Sequence, residues 1–515
     1  MYLSYSTCEL DGCDKPIVTH ANNRCRQCMT IRCHEHIRGV EHECKMVGPD
    51  LPECRRIWAQ MNGRRWPPLL EALGSATLAS IASRHRPGHT ATIKIPKDWN
   101  EARETDYLGE FNGHLPITFD DGVEWLVRFR MGYPGAPSRA IQEAIVASEV
   151  ETMKVLKNFG VKVPEAWKGS PVLKAGINDY PLHYFFIEKM KGRTWTGVPV
   201  PLTEGRVSKE EIQIVIDEYA QLQINLSKAT FHSGIGSLLP KDHPLSLPSQ
   251  STSSNDLLST GPLLTFSGPE APFLFGPFKT NRDRYLAEID LILKLTRAGY
   301  LFCYGPLDQY LKHLHARSVV EQCEELGREE LDFFIKHPDT HGKQLLMIDG
   351  HIEAVLDWEW AYVTTKAEAF ASPRFCWEPE MPGCELEKLS LEDELLIQAY
   401  ERHERPDLAD CVRKGHLYPL LNRMIGEGHD HLLANLLTNL ALGVDLKDLP
   451  ATREDWFTDA LERFKDDPYL QDMIELDKVY REREEEWSEI ANRRYLERLA
   501  QRERDAALKE GGSAE

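Results

Sequence analysis

The residues with the clearest chemical meaning lie in the segment 333–361. A His-x-Asp loop at His337 and Asp339 is followed by two apolar stretches joined by an Asp-Gly turn, and Asp357 ends the second stretch. This order predicts a hairpin that puts Asp339 and Asp357 at facing strand ends. Phosphoryl transfer uses one carboxylate to orient an attacking hydroxyl and accept its proton, and another to hold magnesium against the phosphates. We therefore predict the first role for Asp339 and the second for Asp357.

This spacing resembles the signature of the aminoglycoside phosphotransferases, a family with a protein-kinase-like fold: His-x-Asp, four residues, Asn, then Asp-Trp-Glu after a hairpin. Every position matches except Gln344, which stands where the family has a metal-binding asparagine. The resemblance implies that Asp339 is catalytic, that Gln344 and Asp357 hold magnesium, and that ATP is the phosphate donor. Glutamine is one methylene longer and magnesium demands near-ideal octahedral geometry, so we expect weakened metal binding through Gln344, where water can replace the ligand.

Two histidines accompany these carboxylates. We predict that His337 packs and hydrogen-bonds beneath the loop, so that it positions Asp339 without touching the substrate. We predict that His341 approaches the phosphates.

The elements upstream are those that such a phosphate site requires. A turn at 120–122 predicts a hairpin, a helical pattern covers 140–159, and two further apolar strands follow before residue 190. Arg128 falls on the second strand of the hairpin and Glu149 on the helix. In a kinase small lobe, a strand cation contacts the phosphates and a helix carboxylate positions that cation.

The strings around Arg128 and Glu149 resemble the fungal members of the same phosphotransferase family, in which the strand cation is often arginine. Taken alone, the two residues would more often be solvated surface charges, and the segment 333–361 is what favours the functional interpretation. The resemblance also implies nucleotide contacts at Glu188 and Met190, where the last of these strands ends.

A second cluster of possible metal ligands precedes residue 55, where seven of the twelve cysteines lie. In a reducing compartment, clustered cysteines with interspersed histidines more often bind metal than form disulfides or a tolerant cysteine-rich loop. Eight ligands in four close pairs can close two tetrahedral, structural zinc shells. The candidates are Cys8, Cys13, Cys25, Cys28, Cys33, His36, His42 and Cys44.

From Cys25 onward the spacing resembles the AN-one type of zinc finger found in ubiquitin-associated stress proteins. The resemblance implies a cross-braced arrangement, with Cys8, Cys13, Cys33 and His36 on one zinc and Cys25, Cys28, His42 and Cys44 on the other. It also implies a protein partner from the ubiquitin pathway or the ribosome, since closed zinc sites do not activate water. The chain departs from the family in its first pair, whose cysteines are four residues apart instead of two.

Composition bounds the class of protein. A chain of 515 residues exceeds what one core organises, so two or three domains are expected. The net charge of −20 argues against broad nucleic-acid binding, and no apolar run is long enough to predict a membrane span. The first residues lack the basic and apolar regions of a secretory signal, so we expect a cytoplasmic or nuclear location.

Together these patterns predict an α+β, bilobal, protein-kinase-like fold, in which an antiparallel sheet and a helix form the small lobe and mostly helices form the large lobe. The predicted segments are the two-zinc finger 1–50, a linker with one short helix 51–100, the small lobe 101–192, the large lobe 193–450 with an exposed Ser/Pro-rich insertion near 244–277, and a charged, amphipathic helical tail 451–515. Two functions remain open: transfer of the ATP γ-phosphate to a hydroxyl of an unknown small molecule, or a catalytically weak scaffold or adaptor acting through the zinc finger.

Overall fold

The computed structural model describes most of the chain beyond residue 65 and, before it, only two paired dipeptides, the antiparallel strands β1 (Ser6–Thr7) and β2 (Pro16–Ile17). The eight predicted zinc ligands lie outside the described residues. The described ranges are 66–74, 76–98, 101–102, 108–109, 111–131, 139–169, 173–175, 180–195, 208–246, 258–264, 274–297, 305–376, 388–426, 431–482 and residue 493.

A five-stranded antiparallel sheet organises the first part of this region. Its elements in chain order are helix α1 (66–74), helix α2 (Leu78–His85), strands β3 (Ala91–Ile93), β4 (Asn112–Phe119) and β5 (Glu124–Arg130), helix α3 (Arg139–Asn158), and strands β6 (Ala166–Lys168), β7 (Leu173–Ala175), β8 (Tyr180–Leu182) and β9 (Tyr184–Glu188). The spatial order of the sheet is β3-β4-β5-β9-β6, and β7 pairs separately with β8.

Local sequence explains the hairpin and the helix. Leu115, Ile117 and Phe119 alternate along β4 and are buried, as the two-residue period of a strand requires. The chain then turns through Gly122, whose φ of 83° lies in the left-handed region that glycine adopts most easily. The hairpin predicted at 120–122 and the helix predicted over 140–159 are confirmed as β4–β5 and α3.

The prediction that residues 51–100 form a linker is wrong for the part of this segment that the structure describes. Helices α1 and α2 and strand β3 belong to the sheet's own core, where the buried Trp66, Leu73 and Ile81 cluster with Ile117 and Phe186. The prolines that suggested a linker follow Trp66 in the first turn of α1, where a missing backbone N–H costs no helical hydrogen bond.

The second part is mostly helical. Its elements are β10 (Arg193–Thr194), α4 (Lys209–Leu226), β11 (Thr230–Phe231), β12 (Leu238–Pro240), β13 (Leu258–Thr260), β14 (Leu263–Leu264), β15 (Leu274–Phe275), α5 (Asn281–Arg297), α6 (Pro306–Gln322), β16 (Phe333–Lys336), β17 (Leu345–Ile348), β18 (His351–Val355), β19 (Tyr362–Thr365), α7 (Lys366–Ala369), α8 (Leu391–Arg402), α9 (Pro406–Lys414), α10 (Leu417–Gly426), α11 (His431–Leu442), α12 (Arg453–Arg463) and α13 (470–482). Residues of α4, α8 and α9 share a core with α3, while α5, α6 and α10 to α13 form another. Antiparallel sheets and separate helices make the fold α+β.

Two segments of this part bear on the predictions. The Ser/Pro-rich stretch is predicted to be exposed, but Leu263 and Leu264 within it are fully buried, because they form β14, which pairs with β15, and their side chains pack into clusters that include α3. In the charged tail, α13 is docked by Met473, which is 1% exposed, while Val479 faces solvent. Within the described ranges, no helix combines the length and apolar character needed to cross a membrane.

Candidate active site

A tight hairpin brings the predicted site residues together. Strands β17 and β18 are joined by Asp349 and Gly350, whose φ values of 50° and 84° are both left-handed, as a two-residue type I′ turn requires. The short helix Gly342–Gln344 leads into β17, and Asp357 follows β18. The Gln344 side chain lies between the two carboxylates, with Nε2 3.1 Å from Asp339 Oδ2 and 3.4 Å from Asp357 Oδ2.

His337 links the loop that carries Asp339 to the segment that precedes Asp357. Its Nε2–H donates to the carbonyl of Leu356 at 2.8 Å, and its Nδ1 accepts from the backbone N–H of Asp339 at 3.2 Å. Burial lowers the pKa of His337, so the ring is neutral, as this pair of bonds requires. The ring also meets the indole of Trp358 edge-on at 4.6 Å. The packing role predicted for His337 agrees with these contacts.

Asp339 is held by three side chains. Its Oδ2 accepts from Gln344 and lies 3.2 Å from His341 Nε2, and its Oδ1 accepts from Arg374 Nη1 at 3.1 Å. Burial acts to raise the pKa of Asp339, but the hydrogen bond from His341 and the charges of His341 and Arg374 outweigh it and hold this pKa at about 2. Asp339 is therefore ionised at neutral pH, and its oxygens can accept a hydrogen bond from a hydroxyl.

Arg128 is the centre of a second, buried cluster. Its Nε–H donates to Glu149 at 3.2 Å, and its Nη2 donates to Asp357 at 2.7 Å and to Glu359 at 3.2 Å. Its Nη1 lies 3.1 Å from His114 Nε2. The strand cation and the helix carboxylate predicted from the sequence are thus in direct contact.

Glu359, the last residue of the Asp-Trp-Glu string, is also buried, at 3% exposure. It accepts from Asn112 Nδ2 and Arg128 and forms an ion pair with Arg130. The guanidinium of Arg130 lies 5.7 Å from the ring of Trp360. The segment after β18 is therefore tied to β4 and β5 through side chains on both strands.

Asp357 occupies an unusual backbone position. Its φ of 65° is left-handed, which costs free energy in a residue with a side chain and is kept where the surroundings determine it. Burial acts to raise its pKa, but the charge and hydrogen bond of Arg128 lower it, so Asp357 is ionised. Glu149 differs, because burial outweighs Arg128 and raises its pKa to about 7.

The structure does not bring every predicted residue to this place. Glu188 ends β9, and its Oε2 accepts from the backbone N–H of Glu165 at 3.1 Å. Met190 follows two residues later and is half-buried. Their predicted contact with a nucleotide stays a prediction.

The sequence did not predict five further residues of the site, which are Asn112, His114, Arg130, Glu359 and Arg374. Arg130 had a signal, because strand residues two apart share a face and Arg128 was already assigned. Asn112 and Arg374 had none, since they reach Glu359 and Asp339 only through the tertiary fold.

The donor set fits magnesium in part. The carboxylate of Asp357 is 41% exposed and supplies the hard oxygen ligand that magnesium prefers. The amide of Gln344 points Nε2 at both carboxylates, so it can offer its oxygen to a metal only after turning about its terminal bond.

Comparisons with known proteins found similarity only among solved structures. No model of a known protein family and no curated protein matches the chain. The chain is similar to a protein assigned as a fructosamine-3-kinase from Thermobifida fusca, at 13% identity over 72% of this chain and 99% of that chain, with a TM-score of 0.41. It is similar to aminoglycoside phosphotransferase APH(4)-Ia at 13% identity over 78% and 98%, with a TM-score of 0.37, and to APH(2")-IIa in complex with gentamicin at 12% over 66% and 91%, with a TM-score of 0.38. These identities and TM-scores are too low to assign the chain to a family or to transfer an activity to it.

Proposed function

We propose that this protein is a kinase-like phosphotransferase that moves the γ-phosphate of ATP to a hydroxyl of a small molecule. The observation that supports this most is the continuous set of contacts from Glu149 through Arg128 to Asp357, and from Asp357 through Gln344 to Asp339. It combines a cation for phosphates, a carboxylate for a metal and a carboxylate for the acceptor hydroxyl, which are the parts that phosphoryl transfer uses.

Asp339 has the proton-accepting role in this proposal. The acceptor hydroxyl donates to the Asp339 carboxylate while its oxygen forms a bond to the γ-phosphorus, the bond from that phosphorus to the β-phosphate oxygen breaks, and ADP leaves. His337 keeps the Asp339 backbone at a fixed distance from the Asp357 loop, through bonds to both. Positioning of this kind supplies much of the rate in phosphoryl transfer.

Asp357 would hold magnesium, with Gln344 as a further ligand after its amide turns. Bound magnesium would neutralise charge on the phosphates. Arg128 has five N–H groups, and four already serve His114, Glu149, Asp357 and Glu359. A phosphate oxygen must therefore use the fifth or displace one of these four partners from Arg128.

A catalytically weak scaffold is the second candidate. Existing hydrogen bonds favour this candidate, because Arg128, Gln344 and Arg374 already donate to the carboxylates that would act on substrate. In that case the first fifty residues would carry the function as a two-zinc finger that binds a protein of the ubiquitin pathway or the ribosome. Reduced thiols are needed for this zinc site, which favours the cytoplasm or nucleus.

Nucleotide binding separates the two candidates. Thermal unfolding is measured with ATP, with and without magnesium, on the wild type, on Asp357→Ala and on the control Asp217→Ala, whose carboxylate pairs with Arg402 on the surface. A ligand at 100 times its dissociation constant stabilises by about 2.7 kcal/mol, which such a measurement resolves. We expect magnesium-dependent stabilisation that survives Asp217→Ala and is lost in Asp357→Ala. Absence of any shift in the wild type would leave the scaffold.

The zinc proposal has its own test. Metal analysis of the purified chain should give two zinc ions per molecule, and Cys25→Ser should lower the count. Partner capture with the full chain should then depend on zinc. A zinc-free protein, or a partner set indifferent to a chelator, would remove the finger from the account.

A further inference from the structure

The backbone at Arg374 is fixed beside Thr340, which follows Asp339 in the chain. The Arg374 backbone N–H donates to Thr340 Oγ1 at 3.0 Å, and the N–H of Phe375 donates to the Thr340 carbonyl at 3.1 Å. The Phe375 side chain is 2% exposed and meets the rings of Tyr219 and Trp195 edge-on, at 4.8 and 5.8 Å. The backbone at 374–375 is thus anchored to both the loop and the core.

The Arg374 guanidinium contacts Asp339 Oδ1, which is the carboxylate oxygen that an acceptor would use. Oδ2 already faces Gln344 and His341, and a carboxylate oxygen has two lone pairs in its plane. Oδ1 accepts from Arg374, whose side chain is 43% exposed. A hydroxyl arriving from solvent therefore finds Oδ1 with Arg374 beside it.

This geometry limits the charge of the acceptor. A hydroxyl that gives its proton to Oδ1 lies roughly 3 Å from it, and Arg374 Nη1 lies 3.1 Å from the same atom. The hydroxyl is then at most about 6 Å from a permanent positive charge. A charge on the acceptor at about this distance from Arg374, near a protein surface, would by itself change affinity by on the order of a hundredfold, and the ionised Asp339 beside Arg374 offsets part of that effect.

We propose that Arg374 determines acceptor specificity, selecting a small molecule that carries an anionic group, a carboxylate or a phosphate, next to its reacting hydroxyl and rejecting one that carries an ammonium there. This rests on the proposed phosphotransferase function for the meaning of acceptor, but the anion preference is a property of the site itself. The anionic group takes up donors of the Arg374 fork, which releases Asp339 Oδ1 for the hydroxyl.

The test uses four probes with a similar three-carbon skeleton: glycerol, glycerate, glycerol 3-phosphate and 2-aminopropane-1,3-diol. Binding to the full chain is measured by calorimetry without nucleotide, and ADP formation is then measured with ATP and magnesium. The variants are Arg374→Gln, Arg374→Lys and the control Arg402→Gln, which removes a half-exposed arginine paired with Asp217. Glycerate and glycerol 3-phosphate distinguish a carboxylate from a phosphate as the preferred group.

We expect at least one anionic probe to bind the wild type and Arg402→Gln tenfold or more tightly than glycerol, and the amino diol to bind more weakly. Arg374→Gln should remove the preference, and Arg374→Lys should keep part of it, because lysine retains the charge but loses the fork. Equal binding of all four probes by the wild type, or a preference that persists in Arg374→Gln, would overturn the proposal. If the preference holds but ATP neither binds nor yields ADP, the anion site stands and the phosphotransferase function falls.

Discussion

Two buried arginines in this protein each contact several carboxylates, and the two clusters differ in their exposure to solvent. Arg284 in α5 contacts Glu288 and Glu368, and all three side chains are at most 4% exposed. Arg128 in β5 contacts the equally buried Glu149 and Glu359, but its third carboxylate, Asp357, is 41% exposed. The first cluster is closed and the second reaches solvent, so only the second can exchange a partner for a ligand.

Each cluster lowers the pKa of one carboxylate and raises the pKa of another. Burial acts to raise the pKa of Glu368, but Arg284, Lys336 and hydrogen bonds from Thr364 and Tyr362 outweigh it and lower that pKa to about 2. Glu149 has the same burial and one strong partner, Arg128, which it shares with Asp357, and its pKa rises to about 7. In the first cluster too, burial outweighs Arg284 at Glu288 and raises its pKa, so each cluster leaves one buried carboxylate under-compensated.

The largest expected effect is on the closed cluster. Glu368→Gln leaves Arg284 with one buried carboxylate fewer and should lower the free energy of unfolding by about 3–5 kcal/mol. Urea denaturation measures it, with Glu321→Gln as the control, since Glu321 pairs with Arg317 on the surface and should cost under about 1 kcal/mol. Equal losses in the two variants would show that the closed cluster contributes no more than a surface pair.

The next effect concerns Arg130 in the open cluster. Arg130→Met removes one partner of the buried Glu359, which keeps Asn112 and Arg128, so we expect a loss of about 2–3 kcal/mol in the free energy of unfolding. Adding Glu359→Gln should restore part of it, since the uncompensated charge is gone. If the double variant is no more stable than Arg130→Met, the two residues are not coupled as their contact implies.

The raised pKa of Glu149 gives a pH dependence. The folded chain keeps this proton up to about pH 7, while the unfolded chain loses it near its usual pKa of about 4.5. The folded state therefore binds more protons in this window, and the free energy of unfolding should fall as pH rises from about 4.5 to about 7. Thermal melts of the wild type and Glu149→Gln across this range measure it, and parallel pH curves for the two proteins would refute the assignment.

The smallest expected effect is at Gln344. Gln344→Asn restores the shorter amide and should tighten magnesium-dependent nucleotide binding by up to about tenfold, because magnesium is sensitive to ligand geometry. Gln344→Leu, which has similar size and no amide, is the matched comparison. Tightening by both variants, or by neither, would mean that the amide oxygen is not a ligand.

The site could be predicted from the sequence where its spacing is local. The positions of Asp339, Gln344 and Asp357 follow from one hairpin with an Asp-Gly turn, and Arg128 and Glu149 follow from a strand and a helix with clear periods. The linker prediction was wrong because prolines in a helical first turn and prolines in a loop look alike in sequence. The burial of Leu263 and Leu264 was missed because short strands in a Ser/Pro-rich stretch have no period to detect.

The sequence by itself determined the kinds of groups present and their local order: two carboxylates on one hairpin, an arginine on a strand and a glutamate on the following helix. Only the tertiary structure decided which charges compensate one another. Asn112 and Arg130 meet Glu359 across more than 200 residues of chain, and Arg374 reaches Asp339 across 35. Periodicity reports which face of an element is buried, but a contact between side chains of distant elements depends on how those elements pack, which no local pattern records.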